Sequence, residues 1–163
     1  MYDEILFPTD GSDGAAVALD HALEQAEAHD AGIHVLFVAN TTALGGGAVE
    51  GTTVESLRAT GEQVVEDTVD RITDAGLVAE SEVRQGNPYR EIIDYADEVA
   101  ADMIVMGTHG RRGLDRYLLG SVTEKVVRSS DVPVLTIRVG EEEERGGADG
   151  LPGARGTGPA AHR

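Results

Sequence analysis

The sequence predicts an α/β protein built on a five-stranded, parallel, doubly wound sheet with helices on both faces. Strand-like apolar segments alternate with helix-like segments along residues 4–139, which is the order of parallel strands joined by right-handed crossover helices. Two of these segments, 33–39 and 102–107, are apolar over nearly all of their length, as in strands buried on both faces. The length of 163 residues suffices for one such domain with a hydrophobic core.

The first strand and helix occupy the start of the chain. Residues 4–8 form a short apolar strand that should end at Pro8, because proline cannot donate to a sheet ladder. In the helix that follows, Ser12 is predicted to cap the N-terminus and Asp13 to stabilise the first turn. Gly32 is predicted to close this helix, since glycine adopts the left-handed conformation that often ends helices.

The second strand and helix follow the same order. Residues 33–39 are apolar and β-branched, which predicts a buried strand. A loop over 40–53 contains three consecutive glycines and is expected to be mobile. A helix is predicted from about Val54 to Ala75, because its apolar residues recur on one stripe, and Gly76 lies just past its end.

The third strand is predicted at an edge of the sheet and the fourth at its centre. Residues 77–84 alternate, and one face is partly charged, which is typical of an edge strand. The third helix should begin with Asn87 as its cap and Pro88 at its first helical position. The apolar segment 102–107 then predicts a central strand.

The last elements are a helix over 121–130 and a strand over 132–139. Pro133 marks this strand as an edge strand, and both of its faces are apolar, a combination that favours pairing with a partner. The domain is therefore predicted to span 1–139. Residues 140–163 contain seven glycines and one large apolar residue, and we predict a disordered acidic, glycine-rich tail.

The composition excludes several classes of function. Thirty acidic residues against 13 basic ones give a formal net charge of −17, which disfavours nucleic acid as a partner. No apolar run approaches the roughly 20 residues of a membrane span, and the N-terminus lacks the basic residues of a signal peptide, so we expect a cytoplasmic protein. Without cysteine there are no disulfides or thiolate metal sites, and the histidines show no metal-ligand spacing.

The charge pattern also concerns the habitat of the protein. Lys125 is the only lysine among the basic residues, and aromatic residues are few. This acidic, lysine-poor composition resembles that of proteins from salt-loving organisms, in which concentrated salt screens self-repulsion. The resemblance predicts a halophilic protein of haloarchaeal origin.

Two strand ends carry residues suited to binding a ligand, "PTDGS" over 8–12 and "MGTHG" over 106–110. In doubly wound sheets, ligands bind beyond the carboxyl ends of the strands, where the strand order reverses. The second end opens the stretch "GTHGRRGLDRYLLGS" over 107–121, whose glycines let backbone N–H groups approach an anion. Three arginines against one aspartate make this stretch locally positive, which favours phosphate.

The serine of this stretch has two interpretations. Gly120 and Ser121 precede a helix, whose free N–H groups and dipole favour phosphate. Alternatively, Ser121 and Glu124 form a capping box, which needs no ligand.

The spacing Gly107-x2-Gly110-x9-Gly120-Ser121 resembles the nucleotide-binding signature of the universal stress protein family, in its ATP-binding branch. "ILFPTDGS" near the start and most of residues 83–138 are also similar to that family, so the resemblance covers about residues 1–139. It implies a Rossmann-like sheet of the adenine nucleotide alpha hydrolase-like type, with strand order 3-2-1-4-5. It also implies a homodimer formed by antiparallel pairing of the last strand, 132–139.

The resemblance further implies a binding site for ATP or another adenine nucleotide. Mg²⁺ is inferred because ATP normally carries it. The carboxylate of Asp10 could bond a ribose hydroxyl, hold Mg²⁺ through water, or only stabilise a turn. His109 could bond a phosphate or be an exposed loop histidine. The implied adenine and ribose contacts are Pro8, Thr9, Asp10, Val38 and Met106, and the phosphate contacts are Gly107, His109, Gly110, Gly120, Ser121, Val122 and Thr123, with Arg111 and Gly113 in the same loop.

Three functions are compatible with these observations. The first is an ATP-binding stress-response regulator with slow or no hydrolysis, as the resemblance implies. The second is a dimeric interaction protein that binds no nucleotide, and the third is a nucleotidyl or phosphoryl transferase. The sequence contains neither GxxxxGK[ST] nor GxGxxG, and "TDGSDG" lacks the paired glycines of the ATP pyrophosphatase loop. We identify no catalytic residue.

Overall fold

The computed structural model describes residues 1–42, 51–108 and 119–138, and of 51–53 the backbone alone. The predicted disorder of the tail, the end of the last predicted strand at Val139 and most of the predicted mobile loop lie outside these residues. The helices and strands follow the predicted alternation. They are β1 Glu4–Pro8, α1 Asp13–His29, β2 Gly32–Asn40, α2 Gly51–Asp74, β3 Ala79–Gly86, α3 Pro88–Glu98, β4 Met103–Gly107, α4 Ser121–Ser129 and β5 Val134–Ile137.

The strands form one five-stranded sheet in the order β3-β2-β1-β4-β5. Every pairing is parallel, which confirms the predicted fold class and strand order. β1 and β4 are neighbours in the centre of the sheet, and β3 and β5 are its edges. The strand order reverses between β1 and β4, because the chain first builds outward through β2 and β3 and then crosses back.

The sheet is covered on both faces by two separate hydrophobic clusters. On one face, α1 and α2 pack against alternate residues of the strands, among them Ile5 and Phe7 of β1. On the other face, α3 and α4 pack against the intervening residues, among them Leu6 of β1. This alternation follows from the two-residue period of a strand, and it buries the central strands on both sides.

The start of α1 agrees with the prediction, but its end does not. The Ala15 N–H donates to the Ser12 hydroxyl at 3.2 Å, which confirms Ser12 as the cap. The helix ends instead at His29, with Asp30 as its C-terminal cap residue at a φ of 55°, and Gly32 is the first residue of β2. Aspartate tolerates the left-handed conformation better than most residues, so no glycine is needed at this position.

Other boundaries differ for local hydrogen-bonding reasons. β3 begins at Ala79 rather than at residue 77, because the Leu77 N–H donates to the Ile72 carbonyl and completes the end of α2. β5 begins at Val134 rather than at residue 132, because the Val132 N–H is held by the Ser130 hydroxyl. At the start of α2, the helix begins three residues before the predicted Val54.

The start of α3 is as predicted in position but not in every bond. Pro88 is the first helical residue and Asn87 is the cap residue, although the Asn87 side chain makes no capping hydrogen bond within the described structure. The helix ends at Glu98, and the backbone at Ala100 turns to a φ of 51° before β4 begins.

No helix in the described ranges is long and apolar enough to cross a membrane.

Candidate functional site

The two strand ends singled out in the sequence lie side by side. Ile5 and Leu6 of β1 pair in register with Met103 and Ile104 of β4. Continued along the strands, this register sets Pro8 opposite Met106, about 5 Å away, the spacing of neighbouring strands. The predicted contacts from β1 and β4 therefore meet at the point where the strand order reverses.

The loop after β1 is a compact turn held by its own side chains. The Gly11 N–H donates to the Thr9 hydroxyl at 3.2 Å, and the Ser12 N–H donates to Oδ1 of Asp10 at 2.9 Å. Gly11 has a φ of 75°, a conformation that favours glycine. One oxygen of the Asp10 carboxylate therefore stabilises the turn, as one of the three interpretations of this residue supposed.

Val38 presents its backbone beyond the end of β1. The Thr9 N–H donates to the Leu36 carbonyl at 2.9 Å, so the backbone groups of Leu36 point toward β1. Those of Val38, two residues further along β2, point the same way because backbone direction alternates along a strand. β1 has ended at Pro8, which pairs with Leu36, so the N–H and C=O of Val38 border the site rather than a strand.

The apolar floor of the site belongs to the face covered by α3 and α4. Met106 is buried in that cluster and Val38 packs against it. Thr9 lies apart from them, because its side chain faces the opposite side of the sheet and lines a cavity of about 200 Å³ between α1 and α2. Its backbone belongs to the loop beside the site, while its side chain does not share the floor.

The start of α4 is held against the end of β4. The Gly120 N–H donates to the Thr108 carbonyl at 2.7 Å, and the Thr123 hydroxyl donates to the Gly107 carbonyl at 3.0 Å. Thr108 is almost fully buried, and its own N–H donates to the Ile137 carbonyl of β5 at 3.0 Å. These bonds fix the helix start at the switch point of the sheet.

The first turn of α4 offers backbone donors to a ligand. The first bond inside the helix runs from the Glu124 N–H to the Gly120 carbonyl at 2.9 Å. The N–H groups of Ser121, Val122 and Thr123 precede it, and helix geometry leaves them without a partner inside the helix. Together with the positive end of the helix dipole, they form a place that suits an anion such as phosphate.

The interpretation of Ser121 and Glu124 as a capping box for α4 is wrong. Ser121 is the first helical residue, and Gly120 occupies the cap position with a φ of −57° and a ψ of 148°. The bond from Gly120 to Thr108 sets this register, so the Ser121 side chain is one position too late to cap. Glu124 instead forms an ion pair with Arg128, at 2.7 Å.

Comparisons with known proteins show the family of this chain. The sequence model of the universal stress protein family matches residues 1–138. The chain belongs to that family. Universal stress protein MJ0531 of Methanocaldococcus jannaschii is 34% identical over 146 residues, which cover 88% of this chain and 86% of that protein.

Solved structures of similar proteins share the fold. The structure of MJ0577, a universal stress protein of the same organism, matches with a TM-score of 0.78 and 30% identity, over 86% of this chain and 99% of that one. A universal stress protein in complex with cAMP matches with a TM-score of 0.65 and 27% identity, over 83% of this chain and 97% of that one.

Part of the site predicted for this universal stress protein lies outside the described residues. His109, Gly110, Arg111 and Gly113 fall between the end of β4 and the start of α4, and their roles stay predictions. Within the described residues, no group of three acidic or histidine side chains is arranged to hold a metal ion.

Sequence reasoning missed Thr108, whose backbone carbonyl and N–H join α4, β4 and β5. It also missed the cluster around Arg84. Arg84 pairs in register with Val38, and its guanidinium carbon lies 4.7 Å from the centre of the Tyr95 ring. The hydrogen bond from Arg84 to Glu98 raises the pKa of the guanidinium above its usual range, and burial raises the pKa of Tyr95. No signal in the sequence joins these residues, because they lie on different elements.

Proposed function

We propose that this universal stress protein binds ATP or another adenine nucleotide where β1 and β4 end, and that it hydrolyses ATP slowly or not at all. The observation that carries this proposal is the 2.7 Å bond from Gly120 to Thr108. It brings three backbone donors of α4 to the end of β4, beside the loop that follows β1. A similar protein of 27% identity in complex with cAMP supports an adenine ligand.

The backbone of Val38 supports the choice of base. Adenine carries a donor at N6 beside an acceptor at N1, and the C=O and N–H of one residue match that pair. Guanine carries an acceptor at O6 beside a donor at N1, which reverses the pattern. A strand edge that presents both backbone groups of Val38 therefore favours adenine, with Met106 as part of the apolar floor.

The proposed site also suggests how Mg²⁺ would be held and why turnover would be slow. Oδ1 of Asp10 is engaged by the Ser12 N–H, so the carboxylate would hold Mg²⁺ through water. Phosphoryl transfer needs a positioned base or a charge clamp. Because the Asp10 carboxylate is held in the turn, it is poorly placed to act as a base, and a regulatory role in stress response fits better than an enzymatic one.

Calorimetric titration tests the proposal. We expect one adenine nucleotide site per chain, with ATP bound about 100-fold more tightly than GTP, because GTP would leave two backbone groups without partners. Equal binding of GTP would contradict the assignment of the base to Val38. Absence of binding by ATP, ADP and AMP would leave a dimeric interaction protein that uses no nucleotide.

We further propose a homodimer that pairs β5 with its copy across a two-fold axis. β5 is an edge of the sheet, and its open side carries backbone groups that no neighbouring strand of the described residues covers. Both of its faces already contact the two hydrophobic clusters through Leu135 and Val134. A second copy would therefore extend both clusters and the sheet at once.

The acidic composition supports a third proposal, that the protein acts in the cytoplasm of a halophile, without a membrane or nucleic acid partner. The formal net charge of −17 and the single lysine carry this proposal. Dense negative charge is tolerated where concentrated salt screens it.

A further inference from the structure

Thr123 has a side chain that is not available to a ligand. The residue is only 4% exposed, and its hydroxyl donates to the carbonyl of Gly107, the last residue of β4, at 3.0 Å. A hydroxyl has one hydrogen to donate. The Thr123 side chain therefore cannot donate to a phosphate while this bond is made, although its backbone N–H can.

The bond from Thr123 belongs to a set that fixes the start of α4. The Gly120 N–H donates to the Thr108 carbonyl at 2.7 Å, one residue beyond Gly107. Glycine has no side chain with which to cap the helix, so no side-chain cap fixes its first turn. The helix start is thus joined to the end of β4 by one backbone bond and one side-chain bond within the described residues.

We propose that Thr123 is a positioning residue for phosphate binding, a role that rests on the proposed function. Its hydroxyl holds the first turn of α4 against β4, so that the backbone N–H groups of this turn converge on the phosphates. Hydrogen bonds weaken steeply when their distance and angle depart from the optimum. Loss of the Thr123 bond would loosen the turn and weaken phosphate binding without affecting the base, which is bound at Val38.

The variant Thr123→Val tests this role, because valine has nearly the same shape and lacks the hydroxyl. We expect the dissociation constant for ATP to rise about tenfold, as it would if one N–H bond to the phosphate were lost. The dissociation constant for adenosine, which has no phosphate, should change less than about twofold. Thr123→Ser keeps a hydroxyl and should bind ATP nearly as the native protein does. Thr68→Val is the matched control, since Thr68 is also buried and its hydroxyl donates to a carbonyl within α2.

Amide hydrogen exchange provides a second measurement that needs no nucleotide. The Gly120 amide should exchange about tenfold faster in Thr123→Val than in the native protein, and at the native rate in Thr68→Val. Two results for Thr123→Val would overturn the positioning role and leave the proposed function standing. One is an equal loss of affinity for ATP and for adenosine; the other is native affinity for ATP together with a native exchange rate at Gly120. If the native protein binds no adenine nucleotide, the proposed function fails, and the role of Thr123 in phosphate binding fails with it.

Discussion

Ser121 contributes to the proposed site through its backbone, as do Val38 and Val122. Side-chain chemistry in the sequence cannot identify such positions, because any residue carries the same N–H and C=O groups. The glycine spacing and the family resemblance pointed to the segments that carry them. The resemblance implied Ser121 and Val122 as contacts, and the register of α4, which begins at Ser121, shows that their N–H groups have no partner inside the helix.

The variant Ser121→Pro tests the backbone donor at this position. Proline suits the first helical residue, and the extended conformation of Gly120, with a ψ of 148°, is the one that proline favours in the preceding residue. The substitution should therefore preserve α4 while removing the Ser121 N–H. We expect the dissociation constant for ATP, measured by calorimetry, to rise about tenfold relative to Ser121→Ala, which loses only the hydroxyl. Equal affinity of the two variants would exclude the Ser121 N–H as a phosphate contact.

At the scale of elements, local hydrogen bonds set the strand boundaries that differ from the prediction. The apolar periodicity predicted, in order, the helices and strands that the described residues form, because burial sets that pattern directly. The start of β3 at Ala79 rather than at residue 77 goes with the bond from the Leu77 N–H to the Ile72 carbonyl, which involves backbone groups alone. Such bonds have no signature in the sequence, so boundaries near them shift by a few residues.

The open edge of β5 leads to a prediction about assembly. The carbonyls of Pro133 and Ile137 accept bonds from the side of β4, so the backbone groups of Thr136 point to the open edge. Thr136→Pro removes one outward N–H and leaves the β4 ladder intact, since proline is tolerated on edge strands. We expect the dimer dissociation constant, measured by analytical ultracentrifugation, to rise at least about tenfold relative to Thr136→Val. A dimer of unchanged stability would place the interface elsewhere.

For the whole molecule, the order of the strands brings two distant segments of the chain, the ends of β1 and β4, side by side. The alternation of elements predicted the sheet, and the family resemblance supplied the order that places β1 beside β4. The side of the sheet on which each residue lies followed only from the structure. Thr9, for example, follows Pro8 directly, yet its side chain faces the cavity between α1 and α2.

The net charge leads to a prediction about salt. Repulsion among the acidic groups acts over a Debye length of about 10 Å at 0.1 M salt and about 3 Å at 1 M. We expect the unfolding temperature, measured by circular dichroism, to rise by about 5 °C or more between these concentrations, as for a stabilisation of one to two kcal/mol. Sucrose, which is excluded from the surface but does not screen charge, is the control. An unchanged unfolding temperature in salt would contradict the halophilic interpretation.

We propose above all that an adenine nucleotide binds between the backbone of Val38 in β2 and the start of α4. Nuclear magnetic resonance of the labelled protein tests it most directly, by following the backbone amides as ATP with Mg²⁺ is added. We expect the largest shifts at the amides of Val38, Ser121, Val122 and Thr123. Shifts centred on Thr68 and Arg71, which line the cavity between α1 and α2, or no shifts at all, would contradict it.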